Sequence, residues 1–141
     1  MAYGIGITLA LVLAGFARLT GFDRERAFYP TVAIAIALYY VLFAAMAASS
    51  HALVVDSAAA AVFVAVAVAG FKRGAWLVVA CLAGHGVFDL LHPLLASNPG
   101  VPSWWPAFCL AFDVGAAGVL AYQIQPKLRA MAPSVPVARA K

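Results

Sequence analysis

The chain has 141 residues, of which 66% are hydrophobic and 10% charged, with a net charge of +4 and a mean hydropathy of +1.00. A soluble domain carries about 25% charged residues, and a chain this short cannot hold so much apolar surface in a core. The excess must face lipid, which excludes an ordinary soluble domain and predicts an all-α, polytopic membrane helical bundle in the lipid bilayer. The cations sit at the ends of apolar segments instead of forming a basic patch with interleaved aromatics, so nucleic acid is excluded as a partner. Cys81 and Cys109 both lie inside apolar segments, which argues against a disulfide framework.

Five spans follow in chain order. Residues 3–17 form the first, with no Lys or Arg ahead of the apolar run, unlike a secretory signal peptide. A charged loop, RLTGFDRERAF, precedes the second span at about residues 29–47, which opens on Pro30, a residue tolerated in the first helical turn. The third, at about 52–70, is rich in Ala and Val, whose small side chains let neighbouring backbones approach closely. A cationic turn, FKRG, leads to the fourth span at 75–96, and the turn-rich SNPGVPS to the fifth, which runs from Trp104 to about Ile124. Residues 1–125 are thus expected to form the five-helix transmembrane domain. Residues 126–141 read as a basic, Pro-containing tail without fixed structure.

Charge gives the orientation. Arg18, Arg24 and Arg26 lie in the first loop, Lys72 and Arg73 in the third, and Lys127, Arg129, Arg139 and Lys141 in the tail. These are all nine Lys and Arg residues, and five spans put every one on the same side. The positive-inside rule makes that side cytoplasmic, with the N-terminus outside and the C-terminus inside. Five spans also rule out a simple inverted duplication.

The fourth span is the informative one. An ionisable side chain at bilayer depth costs at least ~2.5 kcal/mol on insertion scales, and this span carries His85, Asp89 and His92. With Cys81 they fall within an arc of roughly 80° on one helix face. Rise along the helix puts His92 about 6 Å, Asp89 about 10 Å and His85 about 16 Å below the outer end. On the fifth span Cys109 and Asp113 share a face, about 8 and 14 Å down. On the third, His51 sits at the interface and Asp56 about 8 Å in. With the fourth and fifth spans as antiparallel neighbours, Asp113 is expected level with His85 and Asp89, and Cys109 near His92. Pro93 lacks an N–H, so the Asp89 carbonyl loses its helical partner and the helix should kink or end there.

Three readings compete. In the first, His85, Asp89, His92 and Asp113 ligate a divalent metal such as zinc, with Cys109, Asp56 and His51 as further members of the polar pocket. Such a site would serve chemistry on a lipid-like substrate or metal handling at the outer face. In the second, an accessory or scaffold protein uses the same residues as a hydrogen-bonded network that locks helix packing. In the third, they form an ion or proton path, which in so small a bundle would require self-association or a larger membrane complex. The spacing H-x3-D-x2-H is not diagnostic in itself. His51 also reads as a wetted interfacial residue, Cys81 as a small buried hydrophobe and WWP at 104–106 as an interfacial anchor or an aromatic lid. One of Tyr39 and Tyr40 is expected to donate into the bundle while the other faces lipid. There is no nucleophile elbow, Walker loop, dinucleotide fingerprint or CxxCH haem motif, so no catalytic residue is assigned.

HGVFDLLHP at 85–93 and PSWWPAFCLAFD at 102–113, with ERAFYP at 25–30, resemble a family of small bacterial integral membrane proteins known only as a domain of unknown function. The resemblance covers the second, fourth and fifth spans and implies a bacterial inner-membrane location without an activity. Alkaline-ceramidase-like membrane hydrolases also use intramembrane His and Asp around zinc. This chain has five spans against their seven and no matching serine, so their activity does not transfer.

Overall fold

A computed structural model of the chain describes residues 1–131, with side chains through residue 125. It contains five helices: α1 (Ala2–Thr20), α2 (Phe28–Met46), α3 (Ser50–Arg73), α4 (Ala75–Leu95) and α5 (Trp105–Met131), with a 3-10 turn at Phe22–Arg24. All five are long and apolar enough to cross a membrane. The chain is a multi-pass membrane bundle. Its distribution of polarity agrees: Asp56, His85, Asp89, His92 and Asp113 are buried, while Leu11, Val12, Val54 and Leu94 are exposed to what would be lipid.

The helix ends have local causes. Gly21 closes α1 in the left-handed conformation at φ 84°, which glycine adopts without a Cβ penalty. Ser49 caps α3, its hydroxyl accepting the Ala52 N–H at 3.3 Å. Gly74 separates α3 from α4. α4 runs two residues past Pro93 and ends at Leu95, with the Ala96 N–H bonded to the His92 carbonyl at 2.8 Å. The helix therefore ends about half a turn after the proline. α5 continues beyond the expected boundary at 125 as far as Met131, carried by Lys127, Leu128, Arg129 and Ala130, all good helix formers. The remainder of the expected tail, residues 132–141, lies outside the described residues.

Neighbours in space are mostly neighbours in sequence. α2 packs on α3, α3 on α4 and α4 on α5, as the short connections require, and α2 also touches α4. α1 instead packs on α5, so α5 lies between α1 and α4. Small residues make this possible: a Cβ on Gly6 would strike the Phe108 carbonyl, and one on Gly115 would come within 3.0 Å of Ala10 Cβ. At the cationic end, Arg26 donates to the Lys72 carbonyl at 3.2 Å and lies over the Phe71 ring, tying the first loop to the α3–α4 turn. The five described loop cations therefore share one end of the bundle, and the α2–α3 and α4–α5 connections share the other.

Gly6 and Gly4 separate helix propensity from helix contact. Gly6→Val is expected to lower the detergent melting temperature by wedging α1 off α5. Gly4→Ala, with open space around it, should leave it unchanged or raise it by the equivalent of up to about 1 kcal/mol. Thermal denaturation of the purified protein reads both.

Candidate metal centre

The buried face of α4 follows helical spacing: Val78, Cys81, Leu82, His85, Gly86, Asp89 and His92. Its polar members meet two different sets of partners. Deeper in the bundle, His85 Nδ1–H donates to Asp113 Oδ2 at 2.7 Å and lies 3.5 Å from Asp89 Oδ2. Tyr40 of α2 donates its hydroxyl to Asp89 Oδ1 at 2.8 Å. Gly86 sets the approach, since a Cβ there would stand 3.3 Å from Leu110 Cδ1 and 3.4 Å from Asp113 Cβ. Cys109, one turn before Asp113 on α5, completes the group. One ligand atom each from His85, Asp89, Cys109 and Asp113 lies within 4.8 Å of every other.

Nearer the α4–α5 loop, His92 Nε2–H donates to Asp56 Oδ1 of α3 at 3.0 Å. The Asn98 amide donates to Asp56 Oδ2 at 2.7 Å and to the Tyr40 carbonyl at 3.1 Å, and its own oxygen accepts the Gly100 N–H at 3.0 Å. Tyr40 joins the two levels: its ring stacks on His92 with centroids 4.0 Å apart, while its hydroxyl reaches Asp89. Phe63 and Phe88 pack edge-on against these rings and wall the site from lipid.

The set expected from sequence is thus divided. His85, Asp89 and Asp113 converge; His92 turns instead to Asp56, because about two helical turns above His85 it meets α3 instead of α5. Cys109 joins the deeper group and not His92. Asp56 is within the pocket, whereas His51 is exposed at the start of α3. Cys81 is buried and donates its S–H to the Phe63 carbonyl at 3.5 Å. Of the tyrosine pair, Tyr40 is 1% exposed and donates inward, and Tyr39 is 42% exposed. Trp105 packs between Tyr39 and Phe43, with centroids 5.1 and 4.8 Å away, so it fastens α5 to α2 while Trp104 stays exposed. Asn98 was hidden in a turn-rich loop. The span before it carries no partner for its amide, which bonds Asp56 of α3 and the Tyr40 carbonyl of α2.

No family model, no curated protein and no solved structure matches the chain. The site is legible only in its own geometry.

That geometry fits a metal ion. Asp89 Oδ2 and Asp113 Oδ1 are buried without a hydrogen-bond partner, on side chains that are fully buried. Two carboxylates and one imidazole leave at least one negative charge uncompensated when the carboxylates are ionised, and a buried charge must be paired or coordinate a cation. Imidazole, thiolate and carboxylate oxygen are the donors that zinc and neighbouring divalent ions take, in the number that a tetrahedral site uses.

Tyr40→Phe removes one of Asp89's partners and is expected to destabilise the bundle by about 1–3 kcal/mol, the cost of leaving a buried acceptor unmet. Tyr39→Phe should be neutral. Unfolding in mixed micelles compares the two.

Proposed function

We propose that the protein is a bacterial inner-membrane protein that binds one divalent metal ion, zinc by ligand chemistry, through His85, Asp89, Cys109 and Asp113, and that it serves metal handling at the outer face. The single observation behind this reading is the pair of carboxylate oxygens without a hydrogen bond on Asp89 and Asp113, within a group whose four ligand atoms lie within 4.8 Å of one another. The magnitudes favour it over a packing lock. Intramembrane hydrogen bonds average about 0.6 kcal/mol, whereas an Asp at the centre of a span costs about 2.5–3.5 kcal/mol on insertion scales. Asp56 meets that cost with hydrogen bonds to both of its oxygens, whereas Asp89 and Asp113 each keep one oxygen without such a bond.

Within the site each residue has a distinct task. Asp113 and His85 hold α5 and α4 together by their hydrogen bond, and ligation through His85 Nδ1 would require it to give up that proton. Tyr40 fixes the rotamer of Asp89 by engaging one oxygen, leaving the other directed at the cluster. A bound divalent ion would supply Lewis acidity and neutralise the carboxylates. The placement in the bacterial inner membrane, with the N-terminus and the α4–α5 loop outside, is supported by the single-sided cations and by the resemblance of residues 25–30, 85–93 and 102–113 to small bacterial membrane proteins.

A second reading, metal-dependent chemistry on a lipid-like substrate, draws on one observation. An apolar groove of about 400 Å³ opens between α1, α2 and α5, lined by Ile36, Tyr39, Trp105 and Phe108, and it reaches Cys109.

Elemental analysis of the detergent-purified protein is expected to find one zinc or similar ion per chain, lost in Cys109→Ser and in Asp113→Asn. Sub-stoichiometric metal, unchanged by His85→Ala, would overturn the reading. Hydrolysis of a phospholipid or ceramide probe by the zinc-loaded protein would favour the second reading over metal handling.

A further inference from the structure

Phe63, Phe88 and Tyr40 cover the deeper cluster on one side, and the groove that reaches Cys109 on the other is lined by apolar and aromatic side chains that hold no carboxylate or imidazole for a hydrated ion. The two ends of the bundle differ in how they would receive one. At the cationic end a cavity of about 290 Å³ is lined by Asp23, Glu25, Arg24, Arg26, Tyr29 and Gln123 among apolar side chains. Arg18, Lys72 and Arg73 stand near the same end, so five cations face two carboxylates, Asp23 and Glu25. The excess of cations there disfavours a divalent ion, and Asp23 is already engaged by Arg18 at 3.3 Å. The opposite end carries no Lys or Arg in either connection, 47–49 or 96–104. Its cavity of about 420 Å³ is lined by Ser97, Asn98, Ser103, Pro93 and His92.

His92 belongs both to this cavity and to the buried polar column. Below it, the column continues through one residue: the His92–Asp56 pair at 3.0 Å, the Tyr40 ring stacked on His92, then the Tyr40 hydroxyl on Asp89. One helical turn of α4 separates His92 from Asp89, a rise of about 4–5 Å. Asn98 closes the top. Its amide holds Asp56 Oδ2 and the Tyr40 carbonyl together, so the α4–α5 loop is fastened across α2 and α3 by one side chain.

Resting on the metal reading above, we infer that the ion reaches the His85/Asp89/Cys109/Asp113 cluster from the α4–α5 loop end, with His92 and Asp56 as transit ligands and Asn98 as the latch over them. Imidazole and carboxylate give the ion a first pair of donors at the cavity floor. Breaking the Asn98 amide bonds frees one Asp56 oxygen for the ion and releases the loop. Tyr40, bonded to both levels, stands where the ion passes from one to the other.

The test is the rate of Zn²⁺ uptake by the metal-stripped, full-length protein in detergent, followed with zinc chloride and a chromophoric chelator, with final stoichiometry measured on the same samples. Asn98→Ala is expected to accelerate uptake and His92→Gln to slow it, each by about tenfold, the lower end of what second-level partners of a metal site are worth, with one zinc per chain at equilibrium in both. Arg24→Gln, at the opposite end, should leave the rate unchanged. Opposite shifts in the two loop-end variants are not produced by a general loosening of the bundle. Unchanged rates in both, a shift of both in the same direction, or a rate change in Arg24→Gln alone would overturn the route while leaving the site standing. Failure of the wild-type chain to take up zinc would overturn the site and the route together.

Discussion

A titratable group in hydrocarbon has no water to turn to, and the rest of this structure depends on that constraint. Each of Asp56, Asp89 and Asp113 has to find its partners inside the bundle. Asp113 finds His85, Asp89 finds Tyr40, and Asp56 finds His92 and Asn98. These pairings link α2, α3, α4, α5 and the α4–α5 loop, so satisfying the carboxylates fixes the relative rotation of four helices. Small residues then set the distances: Gly86 admits α5 to α4 at the level of Asp113, and Gly6 admits α1 to α5.

The two polar levels differ in how fully they are satisfied. Both oxygens of Asp56 accept hydrogen bonds, so that level is complete without any guest. At the deeper level one oxygen of Asp89 and one of Asp113 accept none. Those two oxygens keep free lone pairs, which a cation or a proton shared between the carboxylates would fill. Tyr40 makes the two levels one structure, its ring belonging to the upper and its hydroxyl to the lower.

Much of this was legible in the residues, for reasons of period and rise. The apolar runs and the one-sided cations set five spans, and 3.6-residue spacing put Cys81, His85, Asp89 and His92 on one face. Rise along antiparallel helices placed Asp113 level with His85. Helix rotation was not legible, because hydropathy in lipid is nearly uniform around a span and leaves the angle open. That angle decides that His92 meets α3 and Cys109 the deeper group. The role of Asn98 was also out of reach, since a loop amide shows its partners only once the loop has folded back over α2 and α3. The apolar span of α5 ends at Gln125, as its hydropathy implies, and the helix itself continues to Met131.

The most direct measurement is X-ray absorption at the zinc edge of the loaded, detergent-solubilised protein. A first shell holding one sulfur at about 2.3 Å, together with imidazole nitrogen and carboxylate oxygen near 2.0–2.2 Å, is the expected result, with the sulfur scatterer absent in Cys109→Ser. A shell of oxygen and nitrogen alone in the wild-type protein, identical in Cys109→Ser, would contradict the claim that these four side chains converge on one ion.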